Sequence, residues 1–137
     1  LQMRAILALA AAVAVAFGLG STRYINVDGE LTCDNVYDFS NTVVELWEKD
    51  AIDADDLLQT ITPNREGKFR VRGKETEMGG VEFYLKIKHY CLIKTSCDAI
   101  EQDFVLTASE DEDTWMTFKK SLVSSSNLRD IDRNCLY

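Results

Sequence analysis

The sequence has 137 residues and is acidic, with 23 Asp and Glu against 15 Lys and Arg and a net charge of −8. Its length fits one domain, and its negative charge argues against nucleic-acid binding. The content of one Pro and seven Gly argues against a fibrous, structural or cuticle-type role.

The first twenty residues have the pattern of a secretory signal peptide. Arg4 precedes the apolar run Ala5–Phe17, and Gly18-Leu19-Gly20 has small residues at the positions a signal peptidase requires. The run has thirteen residues, whereas a spanning helix needs about 20. We therefore expect a secreted, extracellular chain without a transmembrane anchor. Residues 1–20 would be removed, leaving 21–137 with a net charge of −9 once Arg4 is lost.

Four cysteines follow, Cys33, Cys91, Cys97 and Cys135, and an even number in an exported chain predicts disulfides. Four cysteines allow three connectivities. The short loop between Cys91 and Cys97 favours their pairing, which would leave Cys33 with Cys135, but the connectivity stays open. A zinc site is disfavoured because the chain has no C-x-x-C pair and one histidine.

Alternation of apolar and polar residues predicts β-strands along most of the remaining chain. The turn Pro63–Gly67 separates two of them, and a helix-like stretch covers Thr95–Gln102. A polar tail begins at about residue 121. The predicted strands are Tyr24–Cys33, Thr42–Glu48, Leu57–Thr62, Lys68–Arg72, Phe83–Cys91, Asp103–Thr107 and Thr114–Leu122. Short strands at these intervals are typical of an all-β antiparallel sandwich.

An ordered set of segments between Asp28 and Cys97 resembles the nematode transthyretin-like family of secreted proteins. These segments are Gly29–Cys33, Val44–Asp50, Asp53–Leu58, Gly67–Gly73, Glu77, Tyr84–Cys91 and Cys97. The match is poor from Thr107 onward. The resemblance implies a transthyretin-like sandwich of seven to eight strands in two antiparallel sheets. It also implies an extracellular location and a role in binding at cell surfaces or to lipids.

The sequence offers no catalytic constellation, and we expect no enzymatic activity and no cofactor. His89 is the single histidine, and it shares a strand face with Leu85 and Ile87, which predicts a buried structural side chain. Hydroxyisourate hydrolases, which have the transthyretin fold, resemble one another in a histidine and arginine cluster and a Tyr-Arg-Gly-Ser terminus. This chain ends in Asn134-Cys135-Leu136-Tyr137 instead.

Four aspartates, Asp50, Asp53, Asp55 and Asp56, form an acidic loop that is a weak candidate for calcium. The loop lacks the glycine and the distal glutamate of an EF-hand. We expect it to be a solvated acidic turn and predict no metal site.

Basic residues concentrate between Arg65 and Lys94, where the local net charge is +4. Lys68, Arg70 and Arg72 share the outward face of one predicted strand, and Lys86 and Lys88 share that of another. Such stripes can attract a phosphate or sulfate headgroup. The alternative is ordinary solvated sheet surface that blocks edge pairing.

Three aromatic residues, Trp47, Tyr84 and Tyr90, fall on predicted outward faces. Exposed aromatic residues are enriched at interfaces, although they can equally cover a sheet against the tail or a second subunit.

The leading hypothesis is an extracellular binding module, an adaptor or signalling protein that recognises a cell-surface protein or an anionic lipid. The alternative is a carrier of a small apolar ligand in the channel of an oligomer, as in transthyretin. Tyr84, Lys86, Lys88 and Tyr90 would not give that channel an apolar lining, and the sequence leaves the oligomeric state open.

Overall fold

The computed structural model describes residues 21–34, 37–50, 53–77, 82–107, 113–122 and 131–137. This part of the chain contains seven strands: β1 (Ser21–Thr32), β2 (Val43–Lys49), β3 (Asp56–Ile61), β4 (Lys68–Glu77), β5 (Glu82–His89), β6 (Ile100–Leu106) and β7 (Thr114–Ser121). The predicted leader, residues 1–20, lies outside the described residues. No helix among the described residues is long and apolar enough to cross a membrane.

The strands form two sheets, in the orders β4-β1-β7 and β3-β2-β5-β6, which confirms the predicted all-β sandwich. All pairs are antiparallel except β1 with β7, which runs parallel from Ile25 opposite Thr114 to Thr32 opposite Ser121. This one pair departs from the antiparallel sheets that the sequence predicts. Alternation along a strand reports burial on one face, which is the same in both pairings.

The core lies between the sheets and is made by alternate residues of the central strands. In β1, Ile25, Val27 and Leu31 point inward, and in β5 all four inward side chains are buried. Burying a large apolar side chain contributes about 1.5–3 kcal/mol, so these strands anchor the sandwich. The most deeply buried apolar residues are Ile25, Val27, Leu31, Val44, Leu46, Val71, Phe83, Leu85, Ile87, Cys91, Ile93 and Leu122.

Gly29 leaves room in β1 for an aromatic ring. It lies opposite Phe69 of β4, and a Cβ placed at position 29 would overlap the Phe69 ring. The glycine therefore lets a large side chain lie flat against the central strand and close the core at this end.

The predicted turn at residues 63–67 joins β3 to β4. Asn64 orders it, because its Oδ1 accepts the amides of Glu66 at 3.0 Å and Lys68 at 2.9 Å. Gly67 has a φ of 90°, which favours glycine, and its carbonyl accepts the amide of Leu31 at 2.9 Å.

The predicted helix over Thr95–Gln102 was wrong. Residues 95–99 form turns and irregular structure, and Ile100 already begins β6. Pairing with β5 decides the outcome, because Ile100 lies opposite His89 and Gln102 opposite Ile87. The short helices of the described residues lie elsewhere, as 3-10 turns at Phe39–Asn41 and Arg133–Cys135.

The disulfides join Cys33 to Cys91 and Cys97 to Cys135. The favoured pairing of Cys91 with Cys97 was therefore wrong. The sandwich brings the end of β1 beside the end of β5, so Cys33 reaches Cys91 across a sequence separation of 58. Cys97 is then free to hold the C-terminal segment, where Lys94 also donates its amide to the Cys135 carbonyl at 2.7 Å.

Candidate functional site

The predicted basic residues do not form one site, because they lie in different sheets. Lys68, Arg70 and Arg72 belong to β4 in the three-stranded sheet, whereas Lys86 and Lys88 belong to β5 in the four-stranded sheet. All of them point away from the core, so the two groups face opposite sides of the sandwich.

The lysines of β5 are each paired with an acid. Lys86 Nζ lies 3.2 Å from Glu101, and Lys88 Nζ lies 3.3 Å from Glu45. The hydrogen bond to Glu101, together with the nearby carboxylates, raises the pKa of Lys86. These lysines carry little free positive charge for a ligand, since their neighbours on this face neutralise them.

Trp47 and Tyr84 form a stacked pair on the same outer face, with ring centroids 6.3 Å apart and planes 7° from parallel. Lys86 Nζ lies 5.4 Å from the Trp47 ring. The strand register places Leu57 beside Trp47 and Val105 beside Tyr84, which makes an apolar row across all four strands. This row is partly exposed, Val105 most of all at 69%.

The acidic loop reaches this aromatic pair through Asp55. The Tyr84 hydroxyl donates a hydrogen bond to Asp55 at 2.7 Å, and the Asp50 amide donates another at 3.1 Å. The bond from Tyr84, followed by that from Asp50, lowers the pKa of Asp55. Burial and the same carboxylate raise the pKa of Tyr84.

The predicted calcium residues are only partly brought together. Asp53 donates its amide to Asp50 at 3.2 Å, and Asp55 is engaged by Tyr84. Among the described residues, the carboxylates whose oxygens lie within 4.8 Å of one another are those of Glu48, Asp50 and Asp56. Glu48, which is fully buried, was not among the predicted residues, and Asp56 is the exposed member of the three.

Tyr90, the third predicted aromatic residue, lies apart from the other two. It follows the end of β5, and its amide donates to the Tyr37 hydroxyl at 2.9 Å. Its neighbours are the loops at one end of the sandwich, not the Trp47 and Tyr84 pair.

His89 is fully buried, as the alternation predicts. Its Nδ1 accepts the Cys91 amide at 3.1 Å, and its Nε2 lies 2.8 Å from Gln102 Oε1. Both ring nitrogens are thus occupied by structural bonds next to the Cys33–Cys91 disulfide. No partner for nucleophilic chemistry is among them.

The basic residues of β4 continue beyond the predicted stripe. Lys74 also points outward, so β4 presents four cations at alternate positions: Lys68, Arg70, Arg72 and Lys74. Arg70 is used internally, because its Nε lies 2.6 Å from Asp28. The partner of Lys68 in the register, Glu30, also lies 3.7 Å from Lys119.

Arg72 and Lys74 differ from Lys68 and Arg70 in their cross-strand partners. The register places Arg72 opposite Asn26 and Lys74 opposite Tyr24, and neither partner is an acid. Neither has an ion-pair partner in the part of the chain that the structure describes. They are therefore cations of this face that have, among the described residues, neither an ion pair nor an acid opposite them, whereas Lys68 lies opposite Glu30.

Arg72 and Lys74 border a groove of about 530 Å³ between β4 and β3. Tyr24, Leu57, Leu58 and Gly73 complete its lining. Leu57 is 48% exposed, whereas Leu58 packs against Gly73, where a Cβ would come within 2.8 Å of Leu58 Cδ1. The groove thus combines an apolar floor with two free cations.

Trp115 extends the same face. It lies on β7 in register with Asn26, which in turn lies opposite Arg72. At 74% exposure it is among the most exposed large apolar side chains. Neighbouring strands are about 4.8 Å apart, so the backbones of Trp115 and Arg72 lie about 10 Å apart across the sheet. We call Arg72, Lys74, Tyr24 and Trp115, together with Leu57 at the neighbouring edge of the four-stranded sheet, the cationic face.

Sequence reasoning named Arg72 of this set and missed the other four. Lys74 continues the alternation of Lys68, Arg70 and Arg72, which was a usable signal. Tyr24 stood on a predicted outward face. Trp115 and Leu57 are brought near β4 by tertiary pairing alone.

The comparisons with known proteins agree with the fold. The model of the transthyretin-like family, TTR-52, matches residues 28–112. Transthyretin-like protein 16 of Caenorhabditis elegans is 42% identical over 67 residues, which cover 49% of this chain and 50% of that protein. Transthyretin-like protein 5 of the same organism is 35% identical over 74 residues, covering 53% and 52%. The chain therefore spans about half the length of the curated relatives it matches.

Among solved structures, (S)-allantoin synthase aligns with 74% of this chain and 42% of its own, at 9% identity and a TM-score of 0.42. A 9R-lipoxygenase from Cyanothece aligns with 68% of this chain and 16% of its own, at 12% identity and a TM-score of 0.33. Likenesses this low support no argument about function.

Proposed function

The chain belongs to the transthyretin-like family, and on that premise we propose that it is a secreted, non-enzymatic binding module that recognises anionic lipid headgroups through its cationic face. Two disulfides among the described residues support the extracellular part, because disulfides persist in oxidising compartments.

One observation carries the ligand class: Arg72 and Lys74 have no acidic partner among the described residues and border an apolar groove. A basic residue near an anionic membrane contributes about 1 kcal/mol to binding. In an acidic protein, a basic residue stays free of ion pairs only where the protein's own carboxylates do not lie beside it. Here the acids of β1 engage Arg70 and Lys119.

The aromatic and apolar members of the face complement the cations. Trp and Tyr side chains favour the headgroup level of a bilayer, where one end of the ring is wet and the other apolar. Trp115 and Leu57 are exposed beside the cations, at 74% and 48%. The face therefore offers phosphate contacts and shallow insertion together.

The test is co-sedimentation of the oxidised chain with vesicles of phosphatidylserine and phosphatidylcholine, compared with phosphatidylcholine alone. We expect binding to the anionic vesicles that weakens from low to physiological salt, because surface charges are screened. The double variant Arg72→Gln/Lys74→Gln should lose roughly tenfold or more in affinity, since two cations at about 1 kcal/mol each are removed.

The matched control is Lys86→Gln/Lys88→Gln, which removes the same charge from the opposite face. These lysines are paired with Glu101 and Glu45, so we expect little change. Equal loss in both double variants would mean that only net charge matters and would contradict a specific face. Absence of binding to every vesicle would reject the lipid proposal in favour of a cell-surface protein as partner.

The alternative of a small-ligand carrier is favoured by one feature, the apolar floor of the same groove. A single-chain amphiphile with an acidic headgroup would place its chain along Leu57 and Leu58 and its charge near Arg72. Binding of monomeric fatty acid in the absence of vesicles, measured by calorimetry together with the oligomeric state, distinguishes this carrier from a membrane-surface module.

A further inference from the structure

A second pocket lies at one end of the sandwich, away from the cationic face. It has a volume of about 270 Å³, and three tyrosines line it, Tyr37, Tyr90 and Tyr137, together with Asp38 and Ile93. Ile93 is 1% exposed and forms an apolar base, while Tyr137 is 78% exposed at the mouth. Neither the family nor the proposed lipid surface accounts for this pocket.

The two disulfides assemble the pocket from three distant parts of the chain. Tyr90 precedes Cys91, which is bonded to Cys33, and Cys33 lies four residues before Tyr37 in the sequence. The Tyr37 hydroxyl accepts the Tyr90 amide at 2.9 Å and lies 2.9 Å from the Thr42 hydroxyl. These bonds leave the Tyr37 ring fixed.

The third tyrosine is held by the second disulfide. Cys135 is bonded to Cys97, and Tyr137 donates its amide to the Leu92 carbonyl at 3.3 Å. Leu136 and Ile93 form an isolated antiparallel bridge beside it. The C-terminal segment therefore lies along the loop that follows β5 and presents Tyr137 to the pocket.

The charge of the pocket is negative. Asp38 is the charged residue among its described lining, and hydrogen bonds from Ser40 lower the pKa of this carboxyl. Arg65 approaches Asp38 at 3.9 Å, but its side chain is 88% exposed, and an exposed pair of this kind contributes little. The carboxylate is thus ionised at neutral pH, and a bound cation would share it with the exposed Arg65 side chain.

From this combination we infer that the pocket binds a methylated ammonium group. Aromatic rings attract cations through their quadrupoles, and quaternary ammonium ions are recognised by clusters of such rings. The methyl groups suit the apolar base at Ile93, and the positive charge suits Asp38. An anionic ligand would be repelled by Asp38, and a neutral ligand would gain nothing from its charge.

The test is an NMR titration of the ¹⁵N-labelled, oxidised full chain with choline. Choline should shift the amides of residues around the pocket, among them Asn41, Tyr90, Thr95 and Tyr137. Its uncharged isostere 3,3-dimethylbutan-1-ol has the same shape without the charge, and it should bind several-fold more weakly. Equal binding of the two compounds would overturn the inference.

Variants assign the binding to named residues. Asp38→Asn removes the charge and keeps an oxygen to accept the Ser40 amide, so the local turn is retained. It should weaken choline about threefold without affecting the alcohol, as expected for an exposed ion pair. Tyr137→Leu should weaken choline about two- to fivefold, since one cation–π contact is lost. The matched control Asp53→Asn lies in the β2–β3 loop and should change nothing.

Two sources of a methylated ammonium group are then distinguished by vesicles of phosphatidylcholine and by a peptide that contains trimethyl-lysine. Binding to one of them that weakens about threefold in Asp38→Asn, but not in Arg72→Gln/Lys74→Gln, identifies the source and separates this pocket from the cationic face. If neither ligand nor free choline moves the pocket amides of the folded wild-type chain, the inference is wrong.

Discussion

The Nε2 atom of His89 lies 2.8 Å from Oε1 of Gln102, while its Nδ1 accepts the amide of Cys91. The bond from the Cys91 amide requires Nδ1 to be unprotonated. Nε2 therefore carries the ring hydrogen and donates the hydrogen bond to Gln102 Oε1. The imidazole is therefore held neutral in the core, beside the disulfide that joins the two sheets.

This arrangement predicts a loss of stability in mild acid. Burial lowers the pKa of His89 below its ordinary value of 6.5, so the unfolded chain takes up the proton first as the pH falls. The free energy of unfolding has its full value above about pH 6.5, the ordinary pKa of histidine. It decreases as the pH falls through the lowered pKa that His89 has in the folded chain, by at most about 1.4 kcal/mol per pH unit. Urea unfolding at several pH values measures it. His89→Gln should flatten the dependence in this window, and an unchanged slope would contradict the assignment.

The contact between Gly29 and Phe69 predicts a large cost for adding one methyl group. Gly29→Ala places a Cβ where the Phe69 ring lies, and overpacking of this kind costs about 1–3 kcal/mol. Chemical denaturation of the variant gives the free energy. The matched experiment introduces Gly29→Ala into a Phe69→Ala background, where the methyl group has space. The same cost in both backgrounds would show that the ring is not responsible.

The two disulfides should contribute unequally to stability. Loop closure alone predicts similar contributions of about 4 kcal/mol for sequence separations of 58 and 38. Cys91 is fully buried, however, whereas Cys97 and Cys135 are half-buried. Cys33→Ser/Cys91→Ser therefore also buries a hydroxyl in the core, which costs about 1–3 kcal/mol more if the hydroxyl finds no bond. Urea unfolding of both double variants should give this order, and the reverse order would contradict it.

The bond between Tyr84 and Asp55 predicts a change in one carboxyl pKa. Tyr84→Phe removes the hydroxyl that contributes most to lowering the pKa of Asp55, which should rise towards its ordinary value of 3.8. Carboxyl ¹³C shifts followed through a pH titration measure this directly. Tyr90→Phe is the control, since Tyr90 lies away from the acidic loop. A pKa of Asp55 that stays unchanged in Tyr84→Phe would show that the Asp50 amide alone sets it.

The strands could be predicted because a strand that is buried on one face has apolar residues at alternate positions. In β5 the buried alternate positions are Phe83, Leu85, Ile87 and His89. The end of β4 could not be predicted, because the predicted strand stops at Arg72 and the next residue is a glycine, which has no side chain to continue the alternation. Gly73 lies inside the strand, since Leu58 occupies the space of its missing side chain. The predicted strand therefore omitted Lys74, which is one of the two cations of the cationic face.

The remaining omissions have a different cause. Disulfide partners depend on which strand ends meet, and sequence spacing does not encode that. Tyr37 and Tyr137 stand in irregular segments without periodicity, so only the folded chain places them beside Tyr90. The sequence identifies the basic residues on outward strand faces. It does not identify their acidic partners Glu45, Glu101 and Asp28, because these lie on neighbouring strands and are brought close only by the strand register.

The parallel pairing of β1 with β7 bears on the order in which the chain becomes structured. The four-stranded sheet joins β2, β3, β5 and β6, which lie between these two strands in the sequence. β4 precedes β7 in the sequence, so β1 can pair with β4 while its other edge stays open until β7 has been synthesised. Because pairings that are distant in sequence form slowly, we expect this edge to be the last to close. A chaperone that binds nascent chains would find its longest-lived substrate there.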